Sequence, residues 1–325
     1  MEKSDHPRRI RSISYSKYGY RFLAPFFVSY ILFQLWPLVS TFYYSFFEYT
    51  TRNLRTTISF CGLQNYLNIL GLAEGEQAFF LRYLGNTLFI WLCNFLPQIL
   101  LAMLMAAWLT DDRCRLKGRG LTKVLVYMPN IMTAASISVL FGAMFSQYGP
   151  ISAQLRRWGW IATNYDFMRS AMGTRGLISF ILFWMWYGNT TLLLISGMLG
   201  INGSLYEAAD IDGASGWKKY TRITLPLLKP ILLYVLVTSS IGGLQMYDIP
   251  ALFNTDVTGT LVGQPDDKST TIAMYIMRLY KSDTGRAAAV CILLFLITLV
   301  ISLLFFHTLR DRDEQPKNRK RGARQ

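Results

Sequence analysis

The residues best suited to a specific ionic contact lie between positions 207 and 226. The run Glu207-Ala208-Ala209-Asp210-Ile211-Asp212-Gly213-Ala214 is followed by Ile223-Thr224-Leu225-Pro226, which closes nineteen residues after Glu207. Three acidic and three basic side chains between 207 and 222 are too many to lie in lipid. Interspersed Ala, Ile and Trp residues are untypical of a solvated linker. These residue types predict a structured surface that a partner protein grips.

The sequence lacks the residue patterns that enzymes usually need for catalysis. The chain has two histidines, one of them His6, and shows no nucleophile with its base, no metal cluster and no paired acids. No G-x-x-x-x-G-K-[ST] pattern occurs, so ATP hydrolysis by a P-loop mechanism would have to come from a separate polypeptide. The four cysteines fall in different segments without a CxxC pair. We predict that the protein is not an enzyme and holds neither a metal nor a cofactor.

Long hydrophobic spans must position these residues. The chain has 325 residues, of which 52% are hydrophobic, and the apolar residues come in blocks of about 20 or more. The predicted spans are 20–47, 84–109, 122–146, 176–200, 231–253 and 287–309. Because backbone groups in lipid must bond within their own segment, these spans must be helices. We predict an all-α polytopic membrane protein with six transmembrane helices, bent or loosened at Pro25, Pro37, Pro97 and Pro129.

The distribution of basic residues predicts the orientation. Of the 33 Lys and Arg residues, 22 fall in segments 1–21, 110–123, 199–230 and 309–325. The side richer in Lys and Arg faces the cytoplasm. Both termini and segment 199–230 are then inside. The formal charge of +14 is a topology signal rather than a sign of nucleic acid, since no basic face interleaved with aromatics occurs on a soluble domain.

Segment 199–230 is expected to form two short helices set at an angle. Leu205 to Ile211 favours a first helix with Glu207 near its start, where the helix dipole favours negative charge. Asp212-Gly213 supplies the turn, because glycine tolerates the left-handed conformation. Ser215 can cap a second helix that runs to about Leu225 and ends at Pro226. Asp210 and Lys218 are interpreted as solvated residues.

This segment resembles the signature of permease subunits of binding-protein-dependent ABC importers, which reads EAA, then DGA, then a hydrophobic residue before Thr-Leu-Pro. The matching positions are Glu207, Ala208, Ala209, Asp212, Gly213, Ala214, Ile223, Leu225 and Pro226. The resemblance to the carbohydrate branch extends to Phe60–Tyr66 ("GLxNY"), Asn86-Thr87-Leu88 ("NTL"), Tyr247–Pro250, and Thr270-Thr271 to Tyr280. Loop 254–269 departs from the "GGP" that family members often carry after the fifth span.

The resemblance implies a MetI-like fold and an alternating-access half-pore. It implies four kinds of protein or ligand partner: a second homologous permease, a cytoplasmic ABC ATPase dimer, an extracytoplasmic solute-binding protein and a carbohydrate, for which family analogy favours an oligosaccharide. Residues 199–230, which we call the coupling element, would insert into the ATPase, with Glu207 in ionic contact with an ATPase arginine. The residues implied in ATPase coupling are Glu207, Ala208, Ala209, Asp212, Gly213, Ala214, Leu225 and Pro226.

The resemblance also implies cargo contacts in the spans on either side of the coupling element. Sugars are bound by aromatic faces and by amide, hydroxyl and carboxylate groups around a cavity. The implied substrate-binding residues are Trp186, Asn189, Thr238 and Gln245, with Tyr247 and Asp248 as neighbours. Because an ionisable group in or near a span is costly, Asp248 is a functional candidate. The alternative interpretation is that these residues mark the membrane interface. Trp and Tyr also form belts there, and Asp248 would then lie at the outer boundary of the membrane.

The predicted organisation is a basic cytoplasmic tail (1–19), a permease domain (20–309) that contains the coupling element, and a second basic cytoplasmic tail (310–325), near lipid. The expected location is the bacterial cell membrane. An ion-coupled secondary transporter is the alternative function. Such a carrier would show inverted repeats and several intramembrane charges, and neither is evident.

Overall fold

The computed structural model describes residues 16–52, 55–73, 75–111, 118–253 and 267–309. Most of the predicted tails, part of the basic segment 110–123 and most of the divergent loop 254–269 lie outside the described residues.

The described residues form helices and one pair of antiparallel strands. The helices before the coupling element are α1 (Ser16–Tyr30), α2 (Trp36–Tyr44), α3 (Gln64–Leu70), α4 (Phe79–Thr110), α5 (Arg119–Ile131), α6 (Ala134–Phe145), α7 (Pro150–Arg157) and α8 (Ala171–Leu199). The helices that follow are α9 (Gly203–Ile211), α10 (Gly216–Lys219), α11 (Leu225–Leu227), α12 (Lys229–Leu244), α13 (Asp248–Phe253), α14 (Ile272–Tyr280) and α15 (Thr284–Leu309). The strands are β1 (Phe47–Arg52) and β2 (Arg55–Phe60), and π-helical turns cover Ile31–Leu35 and Tyr220–Thr224.

The described residues contain five or six segments that are apolar and long enough to cross a membrane, a range that includes the predicted six. Five are helical runs, and the sixth is a pair of helical segments, Gly120–Ile131 and Ala134–Arg157, bent by 88°. The third predicted span, 122–146, is therefore bent close to Pro129, as the sequence predicted. Pro129 lies inside the last turn of α5, and the Thr133 hydroxyl accepts a hydrogen bond from Ser136 N at 3.2 Å as the cap of α6. A missing N–H followed by a new cap explains the break at this position.

The long helices α4 and α8 run parallel along their whole length. Ser179 Oγ donates to the Ile90 carbonyl at 3.3 Å, and Gln98 Nε2 donates to Thr190 Oγ1 at 2.7 Å. Near the C-terminal ends, Ala102, Ala106 and Leu109 of α4 pack in one buried cluster with Leu194 and Met198 of α8. Because both helices run in the same direction, Asp111 at the end of α4 and the coupling element after α8 lie at the same end of the molecule. This agrees with the distribution of basic residues, which predicts that segments 110–123 and 199–230 lie on the same side of the membrane.

A β-hairpin joins the first span to α3, a feature that the all-helical prediction lacked. Phe47 of β1 pairs with Phe60 of β2 at its base. Asn65 is buried and donates to the carbonyls of Ser45 at 2.9 Å and Phe47 at 3.0 Å. The Tyr66 hydroxyl donates to Ser45 Oγ at 2.8 Å. The "GLxNY" residues thus fix this hairpin on the end of the first span.

The fifth span is interrupted between α12 and α13. Residues 245–247 leave the helix, whereas the sequence predicted one continuous helix over 231–253. The Met246 carbonyl accepts a hydrogen bond from Thr271 Oγ1 at 3.0 Å. Because a backbone carbonyl that leaves a helix must find another donor when buried, Thr271 makes this interruption stable.

Candidate functional site

The first arm of the coupling element is α9, which begins earlier than the sequence predicted. The Asn202 side chain accepts a hydrogen bond from Ser204 N at 3.1 Å and caps the helix that starts at Gly203. Glu207 is therefore past the first turn, and the expectation that it lies near the helix start is wrong. Helix-dipole stabilisation of its carboxylate falls off within the first turn, so Glu207 is held as an exposed side chain on the helix surface.

The turn of the coupling element has the predicted glycine geometry. Gly213 has a φ of +69°, in the left-handed region, and a Cβ there would meet no other atom within 4 Å. The Ser215 side chain accepts a hydrogen bond from Lys218 N at 3.4 Å, which confirms the predicted cap of the second arm. The requirement for glycine at position 213 is therefore set by backbone conformation rather than by crowding.

The second arm ends at Leu227, one residue past the end predicted at Pro226. Helix α10 continues through a π-helical turn, Tyr220–Thr224, into α11, and Pro226 lies within the first two residues of α11. The π-helical turn in the first span likewise ends two residues before Pro37. A proline has no N–H to give to a preceding carbonyl and its ring crowds that carbonyl, so a wider turn accommodates it within the helix.

Two side-chain contacts join the arms. Lys219 Nζ lies 2.5 Å from Asp210 Oδ1, and the hydroxyls of Tyr206 and Thr224 are 2.8 Å apart. The side chain of Lys219 is 10% exposed and that of Asp210 is 52% exposed. The interpretation of Asp210 as a plain solvated residue is wrong, because it compensates a buried ammonium group. Tyr220 packs against the buried cluster that contains Leu109 and Met198, and this burial raises the pKa of its hydroxyl.

The outer surface of the coupling element combines charge with exposed apolar side chains. Glu207, Ala208, Asp212 and Gly213 are exposed, whereas Ala209, Ala214, Leu225 and Pro226 are half-buried. Ile211 is 88% exposed and Trp217 is 74% exposed. Large apolar residues exposed beside charges are typical of a protein–protein contact surface. The presence of Ile and Trp in this segment indicated a structured surface from the sequence, but Ile211 and Trp217 were not assigned a contact role.

The six predicted substrate residues line one cavity of about 550 Å³. Trp186 and Asn189 reach it from the middle of α8, and Thr238 reaches it from α12. Gln245 and Tyr247 reach it from the interruption between α12 and α13, and Asp248 reaches it from the start of α13. Trp186 is 47% exposed, so its ring presents a free face. The structure brings these six residues together, and their contact with a sugar stays a prediction.

A third wall of this cavity comes from α4 and was missed by the sequence analysis. Trp91, Asn94 and Gln98 line it, spaced three and four residues apart on one helix face. Trp91 Nε1 donates to Ser239 Oγ at 3.2 Å, and Asn94 Nδ2 donates to the Ile90 carbonyl at 3.0 Å. The sequence did contain a signal for this wall, because the amide residues Asn94 and Gln98 lie four positions apart in an apolar span. The walls offer aromatic faces, amides and hydroxyls, which suit non-covalent binding of a hydroxylated ligand.

At the opposite end from the coupling element, a polar network holds the ends of the spans. Asn86 Nδ2 donates to the carbonyls of Asp267 and Thr270, both at 3.1 Å. Thr87 Oγ1 accepts from Ile272 N at 2.9 Å, and Arg175 donates to Asn86. The residues of the "NTL" pattern thus have a structural role next to the interrupted fifth span.

The chain matches a known protein family over most of its length. Residues 69–314 match the family described as "Binding-protein-dependent transport system inner membrane component". The chain belongs to this family. The resemblance to permease subunits of ABC importers is thereby confirmed for most of the chain, and the protein is a multi-pass inner-membrane permease.

Curated relatives of this permease match over almost their full length. The lactose transport system permease protein LacF of Rhizobium radiobacter is 28% identical over 92% of this chain and 96% of its own. The arabinooligosaccharides transport system permease protein AraP of Bacillus subtilis is 31% identical over 90% of both chains. Both are transport permeases rather than enzymes, as the sequence analysis predicted for this chain.

Solved structures show the same fold. A bacterial ABC transporter involved in the import of the acidic polysaccharide alginate aligns with a TM-score of 0.73 at 22% identity, over 91% of this permease and 96% of that chain. A complex of the bacterial alginate transporter with a periplasmic protein that holds an alginate pentasaccharide aligns with a TM-score of 0.69. The MetI-like permease fold predicted from sequence is confirmed.

Proposed function

We propose that this permease moves a carbohydrate across the cell membrane through an alternating-access half-pore. A binding protein delivers the cargo, a second homologous permease completes the pore, and a separate ATPase dimer drives the transport. The carbohydrate branch is supported by the relatives, which are named for lactose and arabinooligosaccharides. A cavity of about 550 Å³ from this subunit alone has the size and the combination of aromatic and polar side chains expected of a site for a saccharide.

The main support for this proposal is the direct connection between the coupling element and two walls of the cavity. The coupling element lies in the chain directly between α8 and α12, the helices that carry Trp186, Asn189 and Thr238 into the cavity. Leu228, at the end of the element, is buried against α8 residues Leu194 and Ile195. A displacement of the element therefore moves two walls of the cavity without any intervening flexible segment. Such a connection suits the conversion of ATPase motion into a change of cavity access.

In the proposed orientation the coupling element faces the cytoplasm and docks on the ATPase through Glu207, Ile211 and Trp217. Both termini then lie in the cytoplasm, with basic tails 1–19 and 310–325 flanking the permease domain 20–309. The residues proposed to couple to the ATPase remain Glu207, Ala208, Ala209, Asp212, Gly213, Ala214, Leu225 and Pro226. The hairpin β1–β2 and the polar network at Asn86 face outward, toward the binding protein.

Reconstitution in liposomes tests this function against an ion-coupled carrier. The permease, purified with whatever chains accompany it, should accumulate sugar only with ATP inside and the binding protein outside. An imposed proton or sodium gradient without ATP should produce no accumulation. Uptake driven by the ion gradient by this chain alone would overturn the proposal.

A further inference from the structure

We infer that this permease selects uncharged saccharides over acidic ones, with Asp248 as the residue that excludes anionic cargo. The inference rests on the proposed function, because it assigns a cargo chemistry to the same cavity. It follows from which charged groups reach the cavity wall and which do not.

Asp248 is the one ionisable acid or base, tyrosine aside, among the described residues that line the cavity. No lysine, arginine or histidine from the described part of the chain contributes to this lining, although the chain carries 33 Lys and Arg residues. Asp248 is exposed and forms no salt bridge with a described residue. Among the described residues, no cation compensates its carboxylate on this wall.

Arg175, which precedes the cavity residues on α8, makes its contacts away from the cavity. Arg175 lies eleven residues before Trp186, about 16 Å along the helix axis. Its guanidinium donates to Asn86 and to the Lys268 carbonyl, and it packs 5.4 Å from the centre of the Phe89 ring. These contacts hold Arg175 at the end of the span, so it does not supply a cation for a carboxylate bound beside Asp248.

The remaining lining suits a neutral hydroxylated ligand. Asn189 and Gln245 present exposed amides, and Thr238 presents a hydroxyl. Amides both donate and accept hydrogen bonds, so they pair with sugar hydroxyls without a charge. A uronate carboxylate in the same place would instead meet the Asp248 charge at close range, where like charges repel. We expect this repulsion to weaken the binding of an acidic sugar by roughly tenfold or more.

Direct binding to the purified permease assembly in lipid nanodiscs, without the binding protein, tests the inference. The probes are matched trisaccharides of mannose, galactose and glucose, and the same trisaccharides oxidised to uronates. Leaving out the binding protein removes its own selectivity from the measurement. Calorimetry should show binding of at least one neutral trisaccharide, with its uronate counterpart roughly tenfold or more weaker.

The isosteric variant Asp248→Asn assigns this selectivity to one charge. It should raise the ratio of uronate affinity to neutral affinity by about tenfold, because the Asp248 charge repels only the uronate. The control Asp111→Asn, at an exposed carboxylate outside the cavity, should leave the ratio of the two affinities unchanged.

Equal affinity for the neutral and acidic trisaccharides in the unsubstituted protein would overturn the inference but leave the sugar-transport proposal standing. An equal effect of Asp248→Asn on both probes would also overturn it. Binding of no trisaccharide, combined with no ATP-driven uptake of sugar, would remove the proposed function itself.

Discussion

Lys219 Nζ lies 2.5 Å from Asp210 Oδ1 and bridges the two arms of the coupling element across the turn at Gly213. The ammonium group is almost fully buried, whereas the carboxylate that compensates it is half exposed. A contact between Tyr206 and Thr224 lies beside this pair and joins the same two arms. The angle between the arms is thus fixed by side chains that belong to the element itself.

Removal of Asp210 should uncouple transport by freeing the angle between the arms. In Asp210→Ala the buried Lys219 ammonium loses its partner, which should cost about 1–3 kcal/mol. The variant should insert into the membrane normally but show a several-fold lower ratio of sugar transported to ATP hydrolysed. Parallel measurements of uptake and ATPase activity on reconstituted protein give this ratio.

The neighbouring lysine provides a matched control for the same contact. Lys219→Ala should reproduce the uncoupling, and Lys218→Ala, at an exposed position, should retain the normal ratio. An equal response of both lysine variants would contradict a specific role for the Asp210–Lys219 pair.

A bulky residue at Gly213 should impair coupling through the backbone. A β-branched side chain is strongly disfavoured at a φ of +69°, so Gly213→Val should distort the turn between the arms. Gly216→Val is the matched control, because Gly216 is equally uncrowded and does not have a positive φ. We expect membrane insertion of both proteins and loss of ATP-driven uptake only in Gly213→Val. Normal uptake in Gly213→Val would show that the turn geometry is not required.

Two adjacent glycines on α12 test how closely this helix packs against the Trp91 ring in the cavity wall. A Cβ at Gly243 would collide with the Trp91 ring, whereas a Cβ at Gly242 would meet no atom within 4 Å. Gly243→Ala should therefore displace Trp91 and break its hydrogen bond to Ser239, with a loss of stability of about 1–3 kcal/mol. Thermal unfolding and sugar binding should both change in Gly243→Ala and stay near normal in Gly242→Ala. The reverse order would contradict the packing of α12 on α4.

The exposed ring of Trp186 should contribute directly to sugar affinity. Trp186→Ala should raise the ligand dissociation constant roughly two- to tenfold, since one aromatic contact contributes about 0.5–1.5 kcal/mol beyond burial. Trp160→Ala removes an exposed ring that does not line the cavity and is the control. Calorimetric titration of both variants distinguishes a cavity contact from a general effect of losing tryptophan.

The sequence predicted the spans and the position of the turn because both depend on local chemistry. Runs of apolar residues require helices in lipid, and Ser215 and Gly213 have local capping and turn preferences. The cavity residues on α8 and α12 were predicted through family resemblance, and the structure places all of them on one cavity.

Features that depend on contacts between distant segments were not predictable in the same way. The break at residues 245–247 requires Thr271 to satisfy a carbonyl, and the third cavity wall requires α4 to pack parallel to α8. The start of α9 was misplaced because the cap provided by Asn202 was overlooked, although Asn is a preferred capping residue. The π-helical turn before Pro226 was not predicted, because the sequence gives no sign of it.

Co-purification of the ATPase with the tagged permease tests the central claim most directly. Unsubstituted permease, extracted from its own membrane in mild detergent, should retain a stoichiometric ATPase. Glu207→Lys reverses the charge at the exposed centre of α9 and should lose most of that ATPase while still inserting into the membrane. Equal retention of the ATPase by both proteins, with undiminished ATP-driven sugar uptake, would contradict the proposed role of the coupling element.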